Sequence, residues 1–159
     1  MTNGTPRQQA VVQMRLIVEA EDYDEAVAFY RDSLGLTEHA AFEGDGDARV
    51  AIFDAGRATL EIANPAQKRM IDEIEVGRPT SPKLRVAFEV EDAATKTNQL
   101  VADGATLIAA PTETPWRSLN ARLEAPAGLQ ITLFQELESL ESRSRRAGFG
   151  TAAERDESP

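Results

Sequence analysis

A nine-residue motif occurs twice in this chain, and its spacing limits the folds available. Met14-Arg15-Leu16-Ile17-Val18-Glu19-Ala20-Glu21-Asp22 returns seventy residues later as Leu84-Arg85-Val86-Ala87-Phe88-Glu89-Val90-Glu91-Asp92. The pairs Arg15/Arg85, Glu19/Glu89, Glu21/Glu91 and Asp22/Asp92 are identical. A repeat of that period holds one compact α/β unit, so the chain reads as two related halves with its function where they meet.

Both copies alternate apolar and polar residues, the pattern of a half-buried strand. Each runs into an Asp able to cap a helix, Asp22 before Tyr23–Leu34 and Asp92 before Ala93–Ala102, and each helix closes at a glycine, Gly35 or Gly104. Short strand-like segments follow in both halves. They are Thr37–Phe42, Arg49–Phe53 and Arg57–Ala63 in the first, and Thr106–Ala110, Ser118–Ala125 and Leu129–Phe134 in the second. The unit is βαβββ, repeated: module one over 11–64, a linker with one short helix over 65–82, and module two over 83–136. Residues 1–10 read as a flexible N-terminus, and 137–159 as a short helix with a disordered acidic tail.

With 159 residues, 42% hydrophobic, 28% charged and no cysteine, the chain suits one domain with an ordinary core and no disulfides. No apolar run has membrane-spanning length, and the opening residues lack the apolar core of a secretory signal, so a cytoplasmic location is expected. The net charge of −10 argues against nucleic acid as a partner, because phosphate contacts need a basic surface.

Phe29-Tyr30-Arg31-Asp32-Ser33-Leu34-Gly35-Leu36, the Phe88-Glu89-Val90-Glu91-Asp92 run and the Pro126-Ala127-Gly128 turn together resemble the vicinal oxygen chelate superfamily of glyoxalases, bleomycin resistance proteins and extradiol dioxygenases. The resemblance covers residues 11 to about 136 and is nearest to the bleomycin-resistance-like branch. It implies an α+β fold in which two curled mixed sheets form a ligand cleft. Where that family holds a metal, the ligands stand on the first and last strand of each module. Those positions correspond here to Arg15, Glu61, Arg85 and Thr132.

Arginine is a permanent cation with donors only, so it cannot ligate a divalent ion. Glu61 is the one remaining metal or catalytic candidate, and no cofactor is expected. Two arginines opposite one carboxylate suggest instead that Glu61 bridges Arg15 or Arg85, or that a guanidinium keeps donors for a ligand carboxylate or phosphate. His39 is the only imidazole and has no motif partner, which fits a plain strand histidine better than a functional one. Trp116, in Thr114-Pro115-Trp116-Arg117, resembles the groove-building loop of the bleomycin-resistance branch; it suits stacking on a ligand, covering the core or meeting a second subunit.

The resulting expectation is a metal-free homodimeric protein that binds a small molecule, such as an antibiotic, and sequesters it. The ligand would lie against Arg15, Phe53, Glu61, Arg85, Trp116, Thr132 and Phe134, with neither nucleic acid nor membrane as a partner. The alternative is a metal-dependent lyase, isomerase or dioxygenase using Glu61.

Overall fold

The structure, a computed structural model, describes residues 15–145 apart from Ile17, Leu60 and Ile62. The expected N-terminal arm over 1–10 and the tail beyond Arg145 lie outside the described residues. In chain order the elements are helix α1 (Tyr23–Ala28), strands β1 (Thr37–Glu43) and β2 (Arg49–Asp54), helix α2 (Pro65–Glu75), strand β3 (Val86–Glu89), helix α3 (Ala93–Ala102), strands β4 (Thr106–Glu113), β5 (Ser118–Ala125) and β6 (Leu129–Glu136), and helix α4 (Leu140–Ser144). The fold class is α+β, with two open sheets.

The second half forms the expected unit: β3, α3, β4, β5 and β6 make a four-stranded sheet in the order β3-β6-β5-β4. β3 runs parallel to β6, while β6–β5 and β5–β4 are antiparallel. Period-two patterning gives β5 and β6 two different faces. Ala121, Leu123 and Ala125 of β5, with Leu129, Ile131 and Leu133 of β6, pack into a core with Phe29, Leu100 and Ala105. Each fully buried Leu or Ile there contributes on the order of 1.5–3 kcal/mol.

Both helix caps act as their sequence implies. Asp22 accepts from the backbone N–H of Glu25 and Asp92 from that of Thr95, each at 3.0 Å. Gly35 and Gly104 follow the two helices at φ of +92° and +113°, a left-handed region open chiefly to glycine. The first helix is shorter than expected, because after Ala28 it widens into a π-helical turn over Phe29–Ser33. The Leu34 N–H reaches the Phe29 carbonyl at 2.9 Å in that wider turn. Phe29 thereby enters the core, and the Tyr30 hydroxyl donates to the Pro126 carbonyl at 2.9 Å.

The first half departs further from the repeat. β1 and β2 pair antiparallel as a separate two-stranded sheet. Among the described residues, the segments expected as that half's first and last strands, 15–20 and 57–63, carry no strand. Alternation becomes a strand only where a neighbour supplies hydrogen bonds, and among the described residues neither sheet pairs with these segments. Strand β6 runs on to Glu136, two residues past the expected Phe134, and the short helix α4 follows at Leu140.

Candidate functional site

The sheet face opposite the core carries the polar half of the β5 and β6 pattern. Ser118 stands across from Glu136, Asn120 from Phe134, and Arg122 from Thr132. Helix α2, capped by Asn64 and opened by Pro65, borders this face. Gln67, Ile71 and Glu75, one side of α2 at a spacing of four, line a cleft of about 350 Å³ with Glu61, Arg85, Ala87, Trp116, Ser118, Asn120, Thr132, Phe134 and Glu136.

Behind this cleft is a buried ionic cluster. The Arg122 side chain has 0% exposure, and Nη1 donates to Asp72 Oδ1 at 3.0 Å, to Ser81 Oγ at 2.8 Å and to Gln130 Oε1 at 3.0 Å. Nη2 donates to Glu75 Oε2, whose other oxygen accepts from Asn120 Nδ2 at 2.7 Å. Asn120 in turn accepts from the Ser118 hydroxyl at 2.7 Å. Asp72 also accepts from the backbone N–H groups of Thr80 and Ser81, both at 2.9 Å. Desolvation, the largest single influence, pushes the Asp72 carboxyl upward. The Ser81 hydroxyl, these two N–H groups and Arg122 together outweigh it, holding the group well below the usual carboxylate range. The segment read as a linker thus supplies two carboxylates that fasten α2 to the sheet.

Arg85 enters beside this cluster. It donates from Nη1 to the hydroxyl of Thr132, a residue with almost no exposed surface. Burial and then the like charge of Arg122 lower its pKa, and together they outweigh the opposing pull of Glu75, Asp72 and Glu61. Glu61 lies on the same cleft as an exposed residue and acts on Arg85 by charge alone, in place of the expected Arg85–Glu61 bridge.

Trp116 is presented by a tight turn. The Arg117 N–H closes it on the Thr114 carbonyl at 3.0 Å, and the Thr114 N–H bonds the Ser118 carbonyl at 2.8 Å. Arg117 adopts φ of +61°, a left-handed conformation costing a residue with a Cβ on the order of 1–2 kcal/mol. An ion pair from Arg117 to Glu113 and a hydrogen bond from the Leu137 N–H to the Arg117 carbonyl at 3.0 Å hold that geometry.

Of the residues expected to meet a ligand, Glu61, Arg85, Trp116, Thr132 and Phe134 come together in this cleft. Phe53 lies on β2 in the separate sheet, and Arg15 is exposed on the segment before α1; neither lines the cleft. His39 is exposed on β1, with Nδ1 at 3.6 Å from Asp54. The sequence reading missed Arg122, Asp72, Glu75 and Asn120. The alternation of β5 that brings Arg122 and Asn120 onto one face was legible, as was the i, i+3 spacing of Asp72 and Glu75 on α2.

The second-half positions that correspond to this family's metal ligands do not suit a divalent ion. In the second half those positions hold Arg85 and Thr132, already hydrogen-bonded to one another. Among the described residues, no three His, Cys, Asp or Glu side chains gather to hold a metal. No described helix is long and apolar enough to cross a membrane.

The chain belongs to the Glyoxalase/Bleomycin resistance protein/Dioxygenase superfamily, whose family model matches residues 14–133. Among solved structures it is similar to TnmS3, an antibiotic binding protein from Streptomyces sp. CB03234, at 21% identity over 81% of this chain and 99% of that one, with a TM-score of 0.53. It is similar also to the hypothetical protein SA1046 from S. aureus, at 14% identity over 80% of this chain and 99% of that one, TM-score 0.55. A glyoxalase/bleomycin resistance protein/dioxygenase from Nocardioides shares 22% identity over 89% of this chain and 93% of that one, TM-score 0.44. No curated protein matches the chain.

Proposed function

We propose that the chain is a metal-free small-molecule binding protein that sequesters its ligand in the cleft between α2 and the four-stranded sheet. The cleft itself carries this reading. Its size lies at the lower end of small-molecule sites, and it pairs the rings of Trp116 and Phe134 with a few fixed polar groups. The floor is rigid because Arg122 is bonded to Asp72 and Glu75, so a ligand meets a pre-formed surface. Similarity to an antibiotic binding protein supports an antibiotic as one candidate ligand.

The protein acts as a cytoplasmic homodimer in this reading. Phe42 and Val50 stand opposite each other on the β1–β2 sheet, 60% and 47% exposed. A two-stranded sheet is marginal alone, and a second copy would cover it.

The test titrates Trp116 fluorescence, the only tryptophan signal, with a panel of cationic glycopeptides, aromatic antibiotics and small carboxylates. Saturable quenching by at least one member is expected. Silence across the panel removes the proposal.

A lyase, isomerase or dioxygenase is the competing reading, favoured by the position of the Glu61 carboxylate on the cleft. Stoichiometric metal in purified protein, lost in Glu61→Ala, would establish it in place of sequestration.

A further inference from the structure

Among the described residues that line the cleft one is a cation, Arg85, and its hydrogen-bonding capacity there is largely unspent. Among the described residues, Arg85 finds one acceptor, the Thr132 hydroxyl oxygen. Its remaining N–H groups have no protein acceptor there, although the side chain is half-buried and lies close enough to Arg122 to feel its charge. Three of the neighbouring carboxylates are committed elsewhere, Glu75 to Arg122 and Asn120, Asp72 to Arg122, Ser81 and Thr80, and Glu136 to Arg143, while Glu61 acts on Arg85 by charge without a hydrogen bond. Thr132 accepts from Arg85 through its oxygen, which leaves its own hydroxyl hydrogen to donate onward. A guanidinium and a hydroxyl side by side, both short of acceptors in a partly dry site, match the two oxygens of a planar carboxylate.

From this we infer that Arg85 and Thr132 anchor the carboxylate of an aromatic ligand whose ring lies against Trp116 and Phe134. The inference rests on the cleft being a small-molecule site and names the class of molecule it takes. A single negative charge fits better than a phosphate dianion, because one guanidinium supplies the cation and Glu61 stands on the same cleft. The acidic exterior does not forbid an anion here. At physiological ionic strength, exposed charges are screened beyond about 8 Å, whereas a guanidinium in contact acts at hydrogen-bond distance. The rings supply apolar contact and the Arg–Thr pair fixes orientation, the usual division of labour in such sites.

Calorimetry with three molecules sharing one ring system tests this: 2-naphthoate, 2-naphthamide and 2-naphthylmethylamine. 2-Naphthoate is expected to bind the wild-type protein about tenfold or more tightly than the other two. Arg85→Gln is expected to remove that advantage while leaving 2-naphthamide within about twofold, and Arg85→Lys to keep part of it. Equal or tighter binding of the amine or amide overturns the inference while leaving a small-molecule cleft in place, and so does full 2-naphthoate affinity in folded Arg85→Gln. Should Arg85→Gln fail to fold, the three-way comparison on wild type decides alone. If none of the three binds while other molecules quench Trp116, the carboxylate anchor falls and the cleft reading stands; silence in both experiments removes both.

Discussion

Arg122 and Asp72 form an ion pair at 3.0 Å in which both side chains are sealed from solvent, Arg122 at 0% and Asp72 at 2% exposure. Two charges taken out of water cost several kcal/mol each, so such a pair persists only where hydrogen bonds surround it. Here Glu75, Ser81, Gln130 and the backbone of Thr80 and Ser81 supply them. The pair ties α2 to the centre of the sheet, and the cleft wall depends on that tie.

Arg122→Met is expected to destabilise the protein by about 3–5 kcal/mol, because it leaves Asp72 and Glu75 buried without their cation. Adding Glu75→Gln to that variant removes one orphaned charge while keeping an acceptor for Asn120, and is expected to restore about 1–2 kcal/mol. Urea unfolding of the two variants and wild type checks both values.

Stability is expected to decline in acid partly through Asp72. Its folded pKa lies well below the ordinary value of 3.8, so the unfolded chain takes up the proton first as pH falls. The stabilisation is therefore complete above that value and is lost progressively below it, towards the folded pKa. Urea midpoints measured down from neutral pH are expected to show a steeper fall below about pH 4 in wild type than in Asp72→Asn.

Glu61→Ala is expected to leave stability within about 0.5 kcal/mol of wild type, since Glu61 is exposed and Arg85 donates its hydrogen bond to Thr132. Thermal unfolding measures this. A loss of several kcal/mol would mean that Glu61 compensates buried guanidinium after all.

The sequence exposed the second half well because its signals agree with its surroundings. Ser118–Ala125 and Leu129–Phe134 alternate, and each has a paired neighbour that makes alternation a strand. Asp22 and Asp92 cap helices through contacts three residues away, a local effect that a chain pattern contains. The first half was less legible. Arg15 repeats Arg85 in sequence, yet Arg85 leads into a strand paired with β6 while Arg15 lies on an exposed segment outside any strand. A repeat of residues therefore did not guarantee a repeat of environment.

The site was half legible for the same reason. Arg85, Thr132, Phe134, Trp116 and Glu61 were reachable from alternation and from the resemblance of the motifs. Arg122 was not, because an arginine at 0% exposure is credible only once carboxylates face it, and those come from Asp72 and Glu75, about fifty residues earlier in the chain. The π-helical turn over Phe29–Ser33 had no local signature either; core packing of Phe29 and the Tyr30 contact to Pro126 accompany it.

In the proposed function a small molecule sits between α2 and the sheet, against Trp116. Amide and indole chemical-shift mapping by NMR, with the tightest-binding member of the fluorescence panel, tests this placement. The largest shifts are expected at the Trp116 indole N–H, at Asn120 and Phe134 on the sheet, and at Ile71 and Glu75 on α2. Shifts confined to β1–β2 or to α4, with the Trp116 indole unmoved by a saturating ligand, would contradict it.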